Sequence, residues 1–159
     1  MYDPVIERFA REFERFHQLL LKQIDICPES LWEARLGNWY FWQELVHSFY
    51  CAQIYALPDA ENINDFNLSQ NELLLVNEAA HSKDKEEVRE IAVVAEKSAQ
   101  SFFTGLRQTD FLLPHANMNR FLGGDKTNLD AAIGLIRHYN YHLGECDAIL
   151  RKYGLSGVY

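Results

Sequence analysis

The sequence predicts an all-α fold. One four-helix bundle domain spans residues 1–159, with a short extra helix in the connection between the second and third long helices. Three observations carry that prediction. Four long stretches repeat apolar residues at intervals of three and four, the spacing that keeps side chains on one face of a helix. Each stretch is bracketed by residues that start or stop helices. The 159 residues are 48% hydrophobic and 13% aromatic, enough to bury a core without disulfide or metal staples.

The first helix starts at Pro4, which suits a first helical turn, with Asp3 as its N-cap. Val5, Ile6, Phe9, Phe13, Phe16, Leu20 and Ile24 form the apolar face, and Arg8, Arg11, Glu12, Glu14 and Arg15 fill the other side. His17, next to Phe16, is expected at the boundary of that face or on the surface. Pro28 ends the helix by pushing Cys27 out of helical geometry. Residues 31–36 read as a turn or a short helical segment. Gly37-Asn38 resets the chain, and Asn38 is expected to cap a second helix running to about residue 56. Its core stripe is Trp42, Leu45, Val46, Phe49, Ala52 and Ala56, and His47 lies beside it among Gln43, Tyr50, Cys51 and Ile54.

Pro58 stops that helix, and residues 57–67 have the Asp, Asn and Glu content of a loop. Ser69 and Glu72 have capping-box spacing ahead of Leu73-Leu74-Leu75-Val76, which predicts the short extra helix over 70–80, covering an open end of the bundle. His81 follows in a solvated turn. Asp84 and Glu87 repeat the capping spacing and open a third long helix to about residue 106. Its stripe includes Ala92, Ala95, Ser98 and Ala99, small residues that let neighbouring helices approach closely. Pro114, His115 and Gly123-Gly124 exclude a continuous helix over 111–125 and place His115 in a loop. Asn128 is expected to cap the last helix, residues 129–153, with Gly154 as the residue just past its end.

A formal charge of −8 gives no counterion-release drive toward nucleic acid, and no basic patch with interleaved aromatics offsets it. No apolar run approaches the length of a membrane span, and the N-terminus lacks the layout of a signal peptide. Cys27, Cys51 and Cys146 are odd in number and form no C-x-x-C pair. Free thiols in a reducing cytoplasm are the expectation.

Chemistry concentrates on the last helix, in His138-Tyr-Asn-Tyr-His142-Leu-Gly144. Histidines four apart stand one turn above the other on one face and can share a cation if a third ligand reaches in from another element. His47 on the second helix can supply it, since bundles hold metals by projecting side chains inward from facing helices. Three neutral imidazoles suit a divalent ion such as zinc or nickel and leave positions open for a reaction. Glu44, Tyr50, Tyr141 and Glu145 each lie within a turn of a ligand. They are candidates for acid–base work or for supporting the ligands, against the commoner fates of packing tyrosines and solvated glutamates. No glutamate sits inside the histidine pair as in H-E-x-x-H, so the zincin type of base is absent from this helix. Cys51 and Cys146 lie four residues beyond His47 and His142, either facing the metal or serving as small buried thiols.

The aromatic run ending in histidine, Trp39-Tyr-Phe-Trp-Gln-Glu-Leu-Val-His47, resembles the DinB-like proteins. So do His138-x-x-x-His142-x-Gly144 and the following Leu150-Arg-Lys-Tyr-Gly154. The similarity covers nearly the whole chain in helix order and spacing. It implies a bundle of up-up-down-down type, often a homodimer, with a divalent metal on the three histidines near one end. The implied activity is a metal-dependent hydrolase, or a transferase or isomerase using a low-molecular-weight thiol, acting on a small molecule. The competing class is a stress-associated or binding protein that keeps the bundle without turnover. Glu145 departs from the glutamine that the family commonly carries after the glycine.

Overall fold

A computed structural model describes residues 3–60 and 62–159. Asp3 begins helix α1 (Pro4–Ile26) by accepting a hydrogen bond from the backbone of Val5 at 2.9 Å, satisfying one of the N–H groups a helix start leaves free. Reciprocal capping boxes open α5 (Lys85–Gly105), through Asp84 and Glu87, and α7 (Asn128–Lys152), through Thr127 and Asp130. The last cap lies one residue before the expected Asn128, because the Thr127 hydroxyl has an acidic partner three residues on and Asn128 does not. Past the end of α7, Gly154 takes a φ of 82°, and the N–H groups of Gly154 and Leu155 close on the carbonyls of Arg151 and Leu150.

The second long helix, α3 (Phe41–Ala56), starts later than expected and has no side-chain cap. Asn38 instead occupies the two-residue loop of a small antiparallel ribbon, β1 (Arg35–Leu36) with β2 (Trp39–Tyr40). Gly37, at a φ of 83°, provides the positive backbone angle that such a tight loop requires. A four-residue helix, α2 (Glu29–Trp32), precedes the ribbon.

The four long helices pack in a closed ring, α1 against α7, α7 against α3, α3 against α5 and α5 back against α1. Phe13 meets Tyr139 while Gln23 meets Asp147, so α1 and α7 run the same way. Glu44 meets His142 while Tyr55 meets His138, so α3 runs against α7. Phe13 meets Phe103 and Asp25 pairs with Arg89, so α5 runs against α1. The order is up-down-down-up, not up-up-down-down. Adjacent α3 and α5 are therefore parallel, and the chain between them must return the length of the ring.

That crossover decides the environment of α3. All sixteen residues of α3 are buried, although the sequence shows a stripe with polar residues beside it. The crossover lies on the polar side and is stitched to it. The Gln43 side-chain amide donates to the carbonyls of Glu72 and Asn77, and Gln53 exchanges hydrogen bonds with the backbone of Asn64. Within the crossover, Ser69 and Glu72 form the expected capping box for α4 (Gln70–Leu73). The helix stops there instead of reaching residue 80 because Leu75 turns to a φ of 56°, outside helical space. The expected loop over 111–125 contains a seven-residue helix, α6 (Ala116–Leu122), capped by the Nδ1 of buried His115. Among the described residues, no helix is long and apolar enough to cross a membrane.

His17 lies in the core, contrary to its expected boundary position. It follows Phe13 by four and precedes Leu20 by three, which places it on the buried face; its ring stacks near Phe13 and Tyr139. Burial lowers its pKa from 6.5 to about 4. The unfolded chain therefore takes up this proton more readily, and stability falls as pH drops from 6.5 toward 4. His17→Phe should keep the ring packing and remove up to about 3 kcal/mol of that fall. Denaturant titrations across this pH range check it; an unchanged slope would show that His17 does not carry the proton linkage.

Candidate metal centre

His47 sits in the middle of α3, and His138 and His142 stand one turn apart on α7, the antiparallel neighbour of α3. The three rings meet. Their centroids are 5.0 Å apart for His47 and His138, 4.7 Å for His47 and His142, and 4.5 Å for His138 and His142. His47 and His142 are buried, and His138 is partly buried.

Hydrogen bonding assigns the ring nitrogens. Nδ1 of His47 lies 2.7 Å from the carbonyl of Leu73, an acceptor, so this nitrogen carries the proton and Nε2 carries a lone pair. Nδ1 of His142 lies 2.9 Å from an Oε2 of Glu44 and 3.1 Å from Glu145, again acceptors. Nε2 of His138 is buried without any hydrogen-bond partner. Leaving such an atom unsatisfied costs about 1–3 kcal/mol. The pattern is the one a cation needs. Metal-binding imidazoles donate the N–H of the far nitrogen to a carboxylate or backbone carbonyl, which fixes tautomer and ring orientation.

Electrostatics point the same way. Burial, with His142 alongside, lowers the pKa of His47 to about 4. Burial, then the neighbouring His142, His47 and Arg137, lowers His138 to about 2. Both rings are neutral at pH 7, the state that donates to a metal. Taken by the distances between donor atoms, the ligand-capable side chains among the described residues form two groups, His47 with Cys51 and His138, and Glu44 with His142 and Glu145; within each, the donors lie no more than 4.8 Å apart. Buried His, Cys and Glu groupings of this kind could hold a metal ion.

Comparison with protein-family models, curated proteins and solved structures finds no match.

The other residues picked from sequence fall on both sides of that geometry. Glu44 is buried at 6% exposure and bonds directly to His142. Tyr141 is 60% exposed, with its ring edge-on to His142 at 4.9 Å, and the neighbouring Glu145 carboxylate raises its phenol pKa. Glu145 lies 3.1 Å from Nδ1 of buried His142 and keeps 39% of its side chain exposed. Tyr50 is buried where the charges of Asp65 and Arg120 act on it, and among the described residues its ring does not stack with the three histidines. Burial raises the thiol pKa of Cys51 and of Cys146, so both are protonated in the free protein.

Two contributors escaped the sequence. The Leu73 carbonyl belongs to the crossover and has no side-chain signature. Tyr55 packs its ring 5.7 Å from His138, over Gly134; a Cβ at Gly134 would lie 2.7 Å from the Tyr55 ring. A glycine on an inward face four residues before a histidine is the sign that could have pointed to it.

Replacing Glu44 tests the hydrogen bond. Glu44→Ala should weaken zinc binding about 10- to 100-fold, measured by competition with a chromophoric chelator. Unchanged affinity would mean that Glu145 alone is enough to orient His142.

Proposed function

We propose that this chain is a divalent-metal-binding protein of the DinB-like type, acting on a small molecule as a metal-dependent hydrolase or as a transferase that uses a low-molecular-weight thiol. The observation that carries this reading is the convergence of three imidazoles with far-side anchors on two of them and a partnerless buried Nε2 on the third. His47, His138 and His142 would hold the ion, and zinc or nickel suits such a donor set. A cation there would polarise a substrate atom or lower the pKa of a water or thiol.

The protein's own groups divide the remaining work. Leu73 and Glu44 fix the tautomers of His47 and His142. Glu145 has 39% of its side chain exposed and lies 3.1 Å from Nδ1 of His142, so it is the carboxylate placed to hold or pass a proton at the solvent edge. A second reading, a binding or stress-associated protein without turnover, is favoured by the exposures of His47 and His142, only 8% and 4%. Such burial leaves a substrate little room to approach those two rings.

Protein purified without a histidine tag should carry about one equivalent of divalent metal or take it up on titration. His138→Ala should lose most of it while keeping its helical circular dichroism. Less than about a tenth of an equivalent in the parent chain, or no loss in the variant, would contradict the proposal. A panel pairing thiols with electrophiles, beside simple esters and amides, then separates the readings. Turnover with thiol marks the transferase, turnover without it the hydrolase, and silence of a metal-loaded protein the non-catalytic class.

A further inference from the structure

We propose that Cys51 is a ligand to the same cation, its thiolate joining His47 and His138; this rests on the metal-binding reading above. Cys51 follows His47 by one turn of α3, and its sulfur lies within 4.8 Å of donor nitrogens on both His47 and His138. It is 3.7 and 3.8 Å from the Nδ1 and Nε2 of His47. The Nδ1 proton is committed to the Leu73 carbonyl, which leaves Nε2 as the ring nitrogen able to take a cation; the sulfur stands almost equidistant from the two nitrogens rather than along the Nε2 lone pair.

Shared coordination asks the Cys51 side chain to turn from this midway position toward Nε2. A tetrahedral zinc with sulfur at about 2.3 Å and nitrogen at about 2.0–2.1 Å sets those donors roughly 3.6 Å apart. The third corner is Nε2 of His138, which has no partner of its own. His142 falls in the other donor group, with carboxylates as both contacts of its Nδ1, and would join the same cation through Nε2. Cys27 and Cys146 belong to neither donor group.

Binding breaks the S–H bond of Cys51, forms a sulfur–metal bond and releases the proton to solvent, with no change of oxidation state. A thiolate in the set favours zinc and softer ions over magnesium or manganese and occupies a position that three histidines alone would leave open.

Cobalt(II) reports the ligand directly. The full chain, loaded with cobalt in degassed buffer containing a non-thiol reductant, should show visible d–d bands together with an intense near-ultraviolet sulfur-to-cobalt band. Cys51→Ser should lose the near-ultraviolet band and keep the visible ones. If Cys51→Ser does not fold, the double variant Cys27→Ser with Cys146→Ser, in which Cys51 is the sole thiol, should keep the near-ultraviolet band. Loss of the band there, or its survival in folded Cys51→Ser, overturns the proposal. Visible bands in the parent chain without the near-ultraviolet band also overturn it and leave the histidine site standing. Failure of cobalt to bind at all overturns both.

Discussion

Helix α3 is buried along its whole length, and that constraint organises the rest of the molecule. Every polar side chain on a buried helix must find a partner or cost about 1–3 kcal/mol. Gln43 and Gln53 find theirs in the crossover backbone, Ser48 in the carbonyl of Glu44, and Glu44 in His142. His47 satisfies one nitrogen with Leu73 and has the other among histidines and a thiol. Trp42 is the exception, with an indole N–H that has no partner. The same accounting that holds α3 in place therefore collects donors at one point between α3 and α7.

This makes the crossover between α3 and α5 part of the site. It runs back along the ring because α3 and α5 are parallel, and it stops α4 after one turn so that the Leu73 carbonyl can meet His47. The left-handed turn at Leu75 and the hydrogen bonds of Gln43 to Glu72 and Asn77 hold that carbonyl in register. The site is thus anchored by backbone from one side and by carboxylates of α3 and α7 from the other. An arrangement held from both sides fixes ring orientation before any ligand arrives.

Much of this was legible from residue order because it depends on local rules. The boundaries of α1 and α5 follow from Asp3, Asp84 and Glu87, whose capping is decided within a turn. The convergence of His47, His138 and His142 follows from helical spacing on two facing helices. What could not be read depends on partners distant in sequence. The burial of the outer face of α3 requires knowing that a connection of some thirty residues lies on it. The ribbon at Gly37-Asn38 competes with a helix cap that the same two residues equally support. His17 was legible from its spacing to Phe13 and Leu20, but its polar character argued for the surface; packing against aromatic rings overrode that.

To hold one cation as proposed, His47, His138 and His142 must each present an unprotonated Nε2. Long-range proton–nitrogen correlation spectra of the histidine rings test it most directly. In the metal-free protein at pH 7, His47 and His142 should show protonated Nδ1, and one equivalent of zinc should shift the Nε2 resonances of His47, His138 and His142 together to metal-bound values. Protonated Nε2 on His47 before zinc, or unmoved resonances after it, would contradict the claim.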